Sequence, residues 1–457
     1  MQDGTLCGCA PSTGLEILHM SDSAQMPSDV TRADHWLARY LHVGADEVAA
    51  VLWSFAYFFC LLCGYYVLRP VRDEMAVQAG VEQLPWLFSA VFLVMLAVVP
   101  LFGWVSARFP RRRFLPLVYL FFVANLVIFW VLFSGGLALR HTTMAFFVWV
   151  SVFNLFVVSV FWSFMADIFN TEQARRLYGF IAAGGTAGAI AGPALTTFLA
   201  RPLGPTNLLI VSASFLLAAV FCIRRLGRWT MHRGEADPQS DARAPIGGSV
   251  WAGIRLTVAS PYLLGVCLYV VLYSTTSTFL YFQQVEIVPQ AVEMPAERTA
   301  LFAALDLIVN LITLGLQLLV FQRFMAKLGL AAALAIMPLV SLVGFGVLGA
   351  FSTLAVLIVF GVLRRAGEFA IAKPARESLF NVLTRAEKYK AKNFMDTVIY
   401  RGGDAASGWL VTSLKSLGAG VAGISFLALP LAAIWAGTGL WLARRHARIA
   451  AANLEGT

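Results

Sequence analysis

The chain has 457 residues, of which 59% are hydrophobic and 13% charged, and its formal net charge is +9. A composition this apolar is typical of an integral membrane protein and excludes a soluble enzyme or binding protein as the main body of the chain. In a chain this apolar the positive charge is mostly a signal of membrane topology, so we expect no nucleic-acid partner.

Windows of about 20 apolar residues predict membrane-spanning helices. Twelve such windows occur, near residues 48–68, 84–106, 114–134, 143–166, 178–200, 206–223, 262–282, 298–320, 329–350, 353–372, 394–414 and 419–442. The sequence therefore predicts an all-α polytopic membrane protein with about twelve transmembrane helices.

The longest internal polar stretch divides these spans into two sets of six. It covers residues 224–261 and has no hydrophobic period, which is typical of a flexible linker. We therefore predict a six-helix bundle over residues 48–223 and a second over residues 262–442. Residues 1–47 and 443–457 are predicted to be tails.

Most of the 34 Lys and Arg residues fall in loops on the side of the two chain ends. The positive-inside rule assigns that side to the cytoplasm. We therefore expect a monomeric, multi-pass protein of a bacterial inner membrane with both ends cytoplasmic. The basic clusters expected to contact anionic lipid head groups are Arg111, Arg112, Arg113, Arg444, Arg445 and Arg448.

The first span ends in the sequence YYVLRPVRDE, where Arg69, Arg72, Asp73 and Glu74 stand close together. A charge held in the bilayer costs about 2.5–3.5 kcal/mol on insertion scales, so such a group needs partners or a wet cavity. These residues are interpreted as the edge of a polar site. The alternative is that Pro70 ends the span and the charges lie in an outer loop.

Span five carries Gly184, Gly188 and Gly192 at four-residue spacing. This pattern predicts a helix face that another backbone approaches closely. Cys60 and Cys63 have C-x-x-C spacing inside an apolar helix, where small packing residues are expected rather than a redox pair. No G-x-x-x-x-G-K-[ST] sequence occurs, which argues against a nucleotide-hydrolysing pump.

The second half of the chain carries further charged and polar residues inside predicted spans. Asp306 and Asn310 are one helical turn apart on span eight and share a face. Spans ten and eleven contain Arg364, Arg365, Glu368, Asp396, Arg401 and Asp404. Charged groups in membrane helices usually face a water-filled path, although each of these could also belong to a structural ion pair.

The loop between spans two and three reads GWVSARFPRRR. It resembles the signature loop of the major facilitator superfamily, in which a glycine is followed by an arginine and a basic run. Ala107 stands where that loop usually has an aspartate. In that superfamily the loop latches the two halves together, and the missing carboxylate leaves this latch incomplete here.

Residues 373–408 resemble the matching segment of the nucleotide exchange transporters, the ATP:ADP antiporter family of bacteria and plastids. The segments TEQARRLYGF and LRPVRDE resemble the same family, which implies a major facilitator fold. The family pattern P-x-[KR]-E, followed by K-x-K-x-x-x-D and a glycine, is matched by Pro374, Arg376, Glu377, Lys390, Lys392, Asp396 and Gly403.

This resemblance implies that Arg72 and Asp73 line the substrate path and that Arg376 and Glu377 face them from the other half. Two departures concern the substrate. Residues 269–282 carry no charge where the family usually has an acidic residue and a lysine, and Asp404 stands where many members have a lysine. The sequence therefore leaves a smaller or less charged anion open beside a nucleotide.

The leading hypothesis is a secondary transporter that exchanges an organic anion of ATP or ADP type by alternating access of the two bundles. We predict neither a cofactor nor a metal. The predicted substrate-binding residues are Arg69, Arg72, Asp73, Arg364, Arg365, Glu368, Arg376, Glu377, Asp396 and Arg401. The predicted coupling residues are Asp306, Asn310 and Asp404.

Two alternatives remain at this point. A proton-coupled symporter or exporter would use Asp306 or Asp396 to carry the proton. A non-transporting membrane scaffold would use its charges as structural pairs, for example Arg72 with Glu368. The six histidines show neither metal-ligand spacing nor a catalytic partner, so no enzyme activity is expected.

Overall fold

A computed structural model describes residues 47–108, 111–137, 139–232 and 250–455. Residues 1–46 of the predicted tail 1–47, the linker segment 233–249 and loop positions 109–110 lie outside these ranges, as do the side chains of Lys390 and of the basic cluster at 111–113. The described residues from position 49 onward form one compact unit.

The described residues are helical nearly throughout and contain no β-strand. In chain order the helices are α1 Val48–Ala79, α2 Leu84–Arg108, α3 Arg111–Ser134, α4 Leu139–Ile168, α5 Thr171–His232, α6 Val250–Ala259, α7 Pro261–Ala291, α8 Pro295–Leu319, α9 Phe321–Ala350, α10 Leu354–Gly367, α11 Lys373–Ser378, α12 Arg385–Phe394, α13 Tyr400–Ser416 and α14 Val421–Glu455. The predicted all-α polytopic architecture is confirmed.

Within the described ranges, nine helices are long and apolar enough to cross a membrane. One of them, α5, contains two predicted spans because its backbone leaves the helical conformation at Gly204, where φ is 76°. Only glycine adopts this conformation without strain. The spans predicted at 353–372 and 394–414 are not among these nine helices. The helices found there, α10 and α13, have only 14 and 17 residues and are too short to cross a membrane by themselves.

Both short spans are continued by a π-helical segment. Glu368–Ala372 follows α10, and Met395–Ile399 precedes α13. A π segment places an extra residue in a turn and re-aims the side chains on either side, and such segments are frequent at functional sites. Both segments lie beside residues that the sequence singled out, namely Arg365 and Arg401.

The first helix does not end at Pro70. It continues to Ala79, so the alternative in which the charges of the first span sit in an outer loop is wrong. Proline removes only one backbone donor from a helix, and the tertiary packing of α1 offsets that loss. Asp73 and Glu74 are buried within the bundle.

The predicted linker 224–261 is helical at both ends. Helix α5 extends to His232, and α6 covers Val250–Ala259 and packs against α12. A polar stretch without a hydrophobic period gives no signal for these helices, because most helical stability in proteins comes from tertiary packing rather than from local propensity.

For the description below, α1–α5 are the first half and α6–α14 the second half. The halves contact each other where α5 packs on α8 and where α2 packs on α13. A cluster of buried apolar side chains crosses between them near the end of α1 and the start of α2, and includes Ala76, Leu84, Phe279, Phe302 and Val411. We call this end of the bundle the distal face.

The glycine stripe on α5 packs against α1, as its spacing predicted. A Cβ atom on Gly184 or Gly188 would collide with the backbone oxygen of Phe55 or Phe59, and one on Gly192 would lie 2.7 Å from the backbone oxygen of Cys63. Cys63 is a buried free thiol in this interface. The two helix backbones are therefore in direct contact.

Candidate functional site

The two halves meet at a buried carboxylate on α8. Nε of Arg69, from α1, lies 3.6 Å from Oδ2 of Asp306, and Nη2 of Arg365, from α10, donates to Oδ1. The Asp306 side chain is 2% exposed. Two guanidinium groups therefore share one carboxylate, which leaves one positive charge in excess. We call these three residues the Asp306 junction.

A second ion pair lies one turn further along α1. Arg72 donates from Nη2 and Nε to Oδ1 of Asp73, at 2.7 and 3.2 Å. The hydroxyl of Tyr281, from α7, donates to the same oxygen at 3.2 Å. The guanidinium of Arg72 also lies 5.3 Å from the centroid of the Phe147 ring. Asp73 therefore neutralises Arg72 locally and connects α1 to the second half.

A third ion pair closes the distal face. Nε and Nη2 of Arg298 donate to the two carboxylate oxygens of Glu74, at 2.8 and 2.7 Å. Nη1 of Arg298 donates to the backbone oxygens of Val292 and Glu293, at 3.2 and 2.7 Å. Four donated hydrogen bonds hold this guanidinium, and the pair joins α1 to α8 across the two halves.

Helices α2 and α13 close the same face beside this pair. Nε1 of Trp409 donates to Oγ of Ser89 at 3.0 Å, and the rings of Trp86 and Trp409 meet edge to face with centroids 4.9 Å apart. Gly408 lies against Pro85, where a Cβ atom would be 3.3 Å from the proline Cα. The halves are thus in close contact at their distal ends.

Arg364 is held by neutral groups of the second half. It donates to Oγ of Ser341 and of Ser277, at 3.2 and 3.1 Å, and to Oγ1 of Thr276 at 2.9 Å. A fourth bond reaches the backbone oxygen of Tyr273 at 3.2 Å. This buried guanidinium therefore ties α10 to α7 and α9, whereas its neighbour Arg365 reaches the junction.

An aromatic and charged cluster lies next to it. Nη1 of Arg376 is 3.6 Å from Oε1 of Glu368, and its guanidinium lies 5.7 Å from the centroid of the Tyr273 ring. That ring stacks on Tyr400 at 6.0 Å. Arg376 thus faces Glu368, which lies on the adjoining π segment of the same half.

The remaining predicted residues lie near α13. Asp404 accepts from Oγ of Ser274 at 2.6 Å, and Nη1 of Arg401 is 3.6 Å from its Oδ2. Glu377 binds Nζ of Lys392 at 2.5 Å. Asp396 lies on the π segment that leads into α13.

The structure thus separates the predicted residues into distinct groups. It brings Arg69, Arg365 and Asp306 together across the halves. The pair proposed for a scaffold is not formed, since Arg72 binds Asp73 and Glu368 faces Arg376.

Asn310, predicted as a coupling residue, instead binds across the halves. Its Nδ2 donates to the backbone oxygen of Ala189 on α5, at 2.6 Å. Sequence reasoning missed Arg298 as the partner of Glu74. The available signal was that Arg298 begins the predicted apolar span 298–320, where a charged group needs a partner or solvent.

The family model described as Major Facilitator Superfamily matches residues 54–390. The chain belongs to the major facilitator superfamily. It is therefore a multi-pass membrane transporter of a small-molecule substrate, and the fold implied by the resemblance is confirmed.

Two curated members of this superfamily carry the resemblance further. The ADP,ATP carrier protein 1 of Chlamydia muridarum is 23% identical over 91% of this chain and 90% of its own length. The protein of the same name from Chlamydia trachomatis serovar D is 22% identical over the same shares. The predicted kinship with the nucleotide exchange transporters is confirmed as a distant one.

Solved major facilitator structures share the fold. A bacterial homologue of the iron transporter ferroportin in an inward-facing state has a TM-score of 0.63 at 10% identity, covering 87% of this chain and 98% of that one. The nucleoside transporter NupG has a TM-score of 0.57 at 11% identity, with 88% and 98% covered. The peptide transporter POT in complex with sulfate has a TM-score of 0.57 at 15% sequence identity, and the match covers 86% of this chain and 95% of that one.

Proposed function

We propose that this protein exchanges organic anions of nucleotide type across the membrane by alternating access of its two halves. The observation that carries the proposal is the Asp306 junction, where Arg69 and Arg365 face one carboxylate. The junction has one positive charge more than its carboxylate balances, and a buried excess charge of this kind favours an anionic ligand.

The two arginines suit a phosphate or carboxylate group. A guanidinium presents a planar fork of donors that matches these groups in a bidentate way. Arg69 belongs to the first half and Arg365 to the second. An anion that binds both guanidinium groups would draw the two halves together around itself, as alternating access at a midplane site requires.

The same geometry accounts for exchange rather than net flux. Without a ligand, Asp306 binds Arg69 and so latches α8 of the second half to α1 of the first. An anion of higher charge competes with Asp306 for the guanidinium groups and replaces this latch with its own bridge between the halves. A ligand shifts a conformational equilibrium only through such differential contacts, so the protein would change state efficiently only when loaded.

The nucleotide is favoured by the relatives named ADP,ATP carrier protein 1, which match about nine-tenths of the chain. The uncharged segment 269–282 still leaves a smaller anion as the alternative substrate. We place the chain ends in the cytoplasm of a bacterium, following the positive-inside rule, so that the closed distal face points outward.

The decisive experiment is counterflow in proteoliposomes that are preloaded with unlabelled ADP or ATP. Labelled nucleotide should enter the preloaded vesicles and not the empty ones. Arg69→Ala and Arg365→Ala should abolish this entry, because each removes one guanidinium of the junction. Arg323→Ala is the matched control, since Arg323 is an exposed arginine whose guanidinium donates to the backbone oxygen of Leu319 on its own side of the chain.

Folded protein that takes up no nucleotide would contradict the nucleotide assignment. Smaller anions would then be tested with and without a proton gradient. Uptake driven by the gradient in empty vesicles would favour the proton-coupled alternative over exchange.

A further inference from the structure

The helix that carries Arg365 changes its hydrogen-bond register just after that residue. Helix α10 ends at Gly367, the π segment Glu368–Ala372 follows directly, and α11 begins at Lys373. The N–H of Lys373 donates to the backbone oxygen of Glu368, which is the i→i+5 register of a π-helix. One extra residue is therefore placed between Arg365 and α11.

Pro374 explains why the helix widens here. In an α-helix the proline ring would collide with the carbonyl group of residue 370, and a wider turn relieves that collision. Proline also has no N–H, and in the π register the N–H at position 374 would donate to the backbone oxygen of Phe369. The N–H of Lys373 is already bound to Glu368. The oxygen of Phe369 therefore receives no hydrogen bond from position 373 or 374, the two places from which its own helix could supply one.

Gln317 supplies the missing donor from another helix. Its Nε2 donates to the backbone oxygen of Phe369 at 3.2 Å. Gln317 belongs to α8, which also carries Asp306, and the two positions lie about three helical turns apart on one face. Helix α8 thus holds the α10 region at two points. Asp306 binds the side chain of Arg365 before the π segment, and Gln317 binds the main chain inside it.

The position of the extra residue decides where Arg365 points. Each residue of an α-helix turns the chain by about 100°, so one additional residue rotates the side chains on one side of it by that angle relative to the other side. Pro374 requires a wide turn before it, but proline alone does not select which turn is widened. A wide turn placed before Arg365 instead of after it would rotate this guanidinium away from Asp306. The hydrogen bond from Gln317 selects the turn that contains Phe369.

We propose that Gln317 is a positioning residue that holds the π segment in place and thereby aims Arg365 at the anion site. The inference rests on the function proposed above, which gives Arg365 its role in binding the phosphate or carboxylate groups of the substrate. It assigns to Gln317 an effect on anion binding that acts through Arg365.

The test is a double-substitution cycle that pairs Gln317→Leu with Pro374→Ala. Gln317→Leu removes the donor and keeps a side chain of similar size. Pro374→Ala restores a backbone N–H at the position that lacks one, so the oxygen of Phe369 no longer depends on Gln317. Two substitutions that act on the same carbonyl group should have non-additive effects.

Two readouts separate the hydrogen bond from its effect on the anion site. The melting temperature in detergent without a ligand reports the hydrogen bond. The concentration of inorganic pyrophosphate that half-inhibits ADP counterflow reports the anion site. Pyrophosphate has neither a sugar nor a base, so its inhibition excludes a direct contact between Gln317 and those parts of a nucleotide.

Gln317→Leu should lower the melting temperature and raise the half-inhibitory pyrophosphate concentration severalfold. When Pro374→Ala is already present, the same substitution should change neither value. In a protein that carries Arg365→Lys, Gln317→Leu should still lower the melting temperature. It should not weaken pyrophosphate inhibition further there, because the planar guanidinium that Gln317 directs is already lost.

Gln322→Leu and Pro430→Ala are the matched controls. Gln322 is an exposed glutamine of α9, and its substitution should leave both readouts at their wild-type values. Pro430 lies inside α14, on a different helix from Phe369 and Gln317. Pro430→Ala should leave the effect of Gln317→Leu unchanged, because the effects of independent sites add.

Three results would overturn the inference. If Gln317→Leu has the same effect with and without Pro374→Ala, Gln317 does not bind the Phe369 oxygen in the way that matters for stability. If Gln317→Leu lowers the melting temperature but leaves pyrophosphate inhibition unchanged, the bond is structural and does not direct Arg365. If the wild-type protein exchanges no nucleotide, the proposed function fails and the role of Gln317 in anion binding fails with it, whereas the melting-temperature cycle still decides whether the hydrogen bond forms.

Discussion

Arg298 binds both carboxylate oxygens of Glu74 and thereby joins α8 to α1 at the distal face. The same two helices meet again at Arg69 and Asp306, deeper in the bundle. Because both contacts lie on one pair of helices from opposite halves, α1 and α8 cannot separate at the distal face without straining the junction. The distal ion pair and the candidate anion site are therefore mechanically connected.

We predict that Arg298→Ala both destabilises the protein and slows exchange. The substitution leaves Glu74, whose side chain is fully buried, without its partner. Breaking a buried ion pair from one side costs about 3–5 kcal/mol. The melting temperature in detergent should fall, and nucleotide counterflow should drop because the closed distal state is lost.

A charge swap and a neighbouring pair provide the controls. Combining Glu74→Arg with Arg298→Glu should restore part of the stability. Arg201→Ala breaks the ion pair with Glu297, whose 3.7 Å contact joins the same halves but is exposed. Exposed pairs contribute about 0–1 kcal/mol, so this variant should behave as the wild type. Equal losses in Arg201→Ala and Arg298→Ala would contradict a specific role for the Glu74 pair.

Asp306→Asn should strengthen nucleotide binding and slow turnover. In the empty protein Asp306 competes with the ligand for Arg69 and Arg365, so its removal leaves two guanidinium groups available. An affinity gain of about tenfold corresponds to about 1.4 kcal/mol. The measurement is the rise in melting temperature with ADP concentration, alongside counterflow.

The two rival mechanisms give different results in this variant. If Asp306 carries a proton, Asp306→Asn should abolish uptake driven by a pH gradient and leave ADP affinity unchanged. If Asp306 contacts the substrate directly, affinity should fall. Only tighter ADP binding in Asp306→Asn supports the proposal that Asp306 competes with the ligand for Arg69 and Arg365.

Hydropathy and the cost of buried charge were enough to predict the helical architecture and to select Arg69, Asp306 and Arg365. Asp306 and Arg365 lie inside apolar windows and Arg69 directly follows one, and an ionisable group in such a place needs a partner or a wet cavity. The sequence could not say which of these residues meet, because side-chain partners depend on how helices from the two halves are rotated against each other. Arg72 was therefore matched with Glu368, although its neighbour Asp73 binds it.

Arg298 was missed for a related reason. It stands at the first position of the predicted span 298–320, where a basic residue is usually a solvated flank. The π segments beside Arg365 and Arg401 were missed because a hydropathy window is insensitive to hydrogen-bond register. One of these segments brings the backbone oxygen of Phe369 to Gln317 of α8.

Substitution by lysine should have different effects at the two neighbouring arginines of α10, lowering stability at one and substrate affinity at the other. Arg364→Lys loses most of four hydrogen bonds to neutral groups of α7 and α9, so the melting temperature should fall while the KM of the remaining folded protein is unchanged. Arg365→Lys keeps a charge near Asp306 but loses the planar fork, so KM for ADP should rise about tenfold with little change in stability. A KM effect in Arg364→Lys that matches the one in Arg365→Lys would place both groups on the substrate.

The contact between α5 and α1 gives a final prediction, since it supports the helix that carries Arg69 to the junction. A methyl group at position 192 would lie 2.7 Å from the backbone oxygen of Cys63 and 2.8 Å from Cβ of Tyr66. Overpacking of this kind typically costs about 1–3 kcal/mol. Gly192→Ala should therefore lower the melting temperature. It should also raise KM for ADP by displacing Tyr66, whose ring centroid lies 5.8 Å from the guanidinium carbon of Arg69.

Gly179→Ala is the matched control on the same helix. No atom lies within 4 Å of the position its Cβ would take, and alanine is favoured over glycine in a helix by up to about 1 kcal/mol. This variant should be as stable as the wild type or slightly more so, with unchanged KM. If Gly192→Ala is equally stable, the backbones of α1 and α5 can separate without loss, and the close contact does not hold Tyr66 beside Arg69.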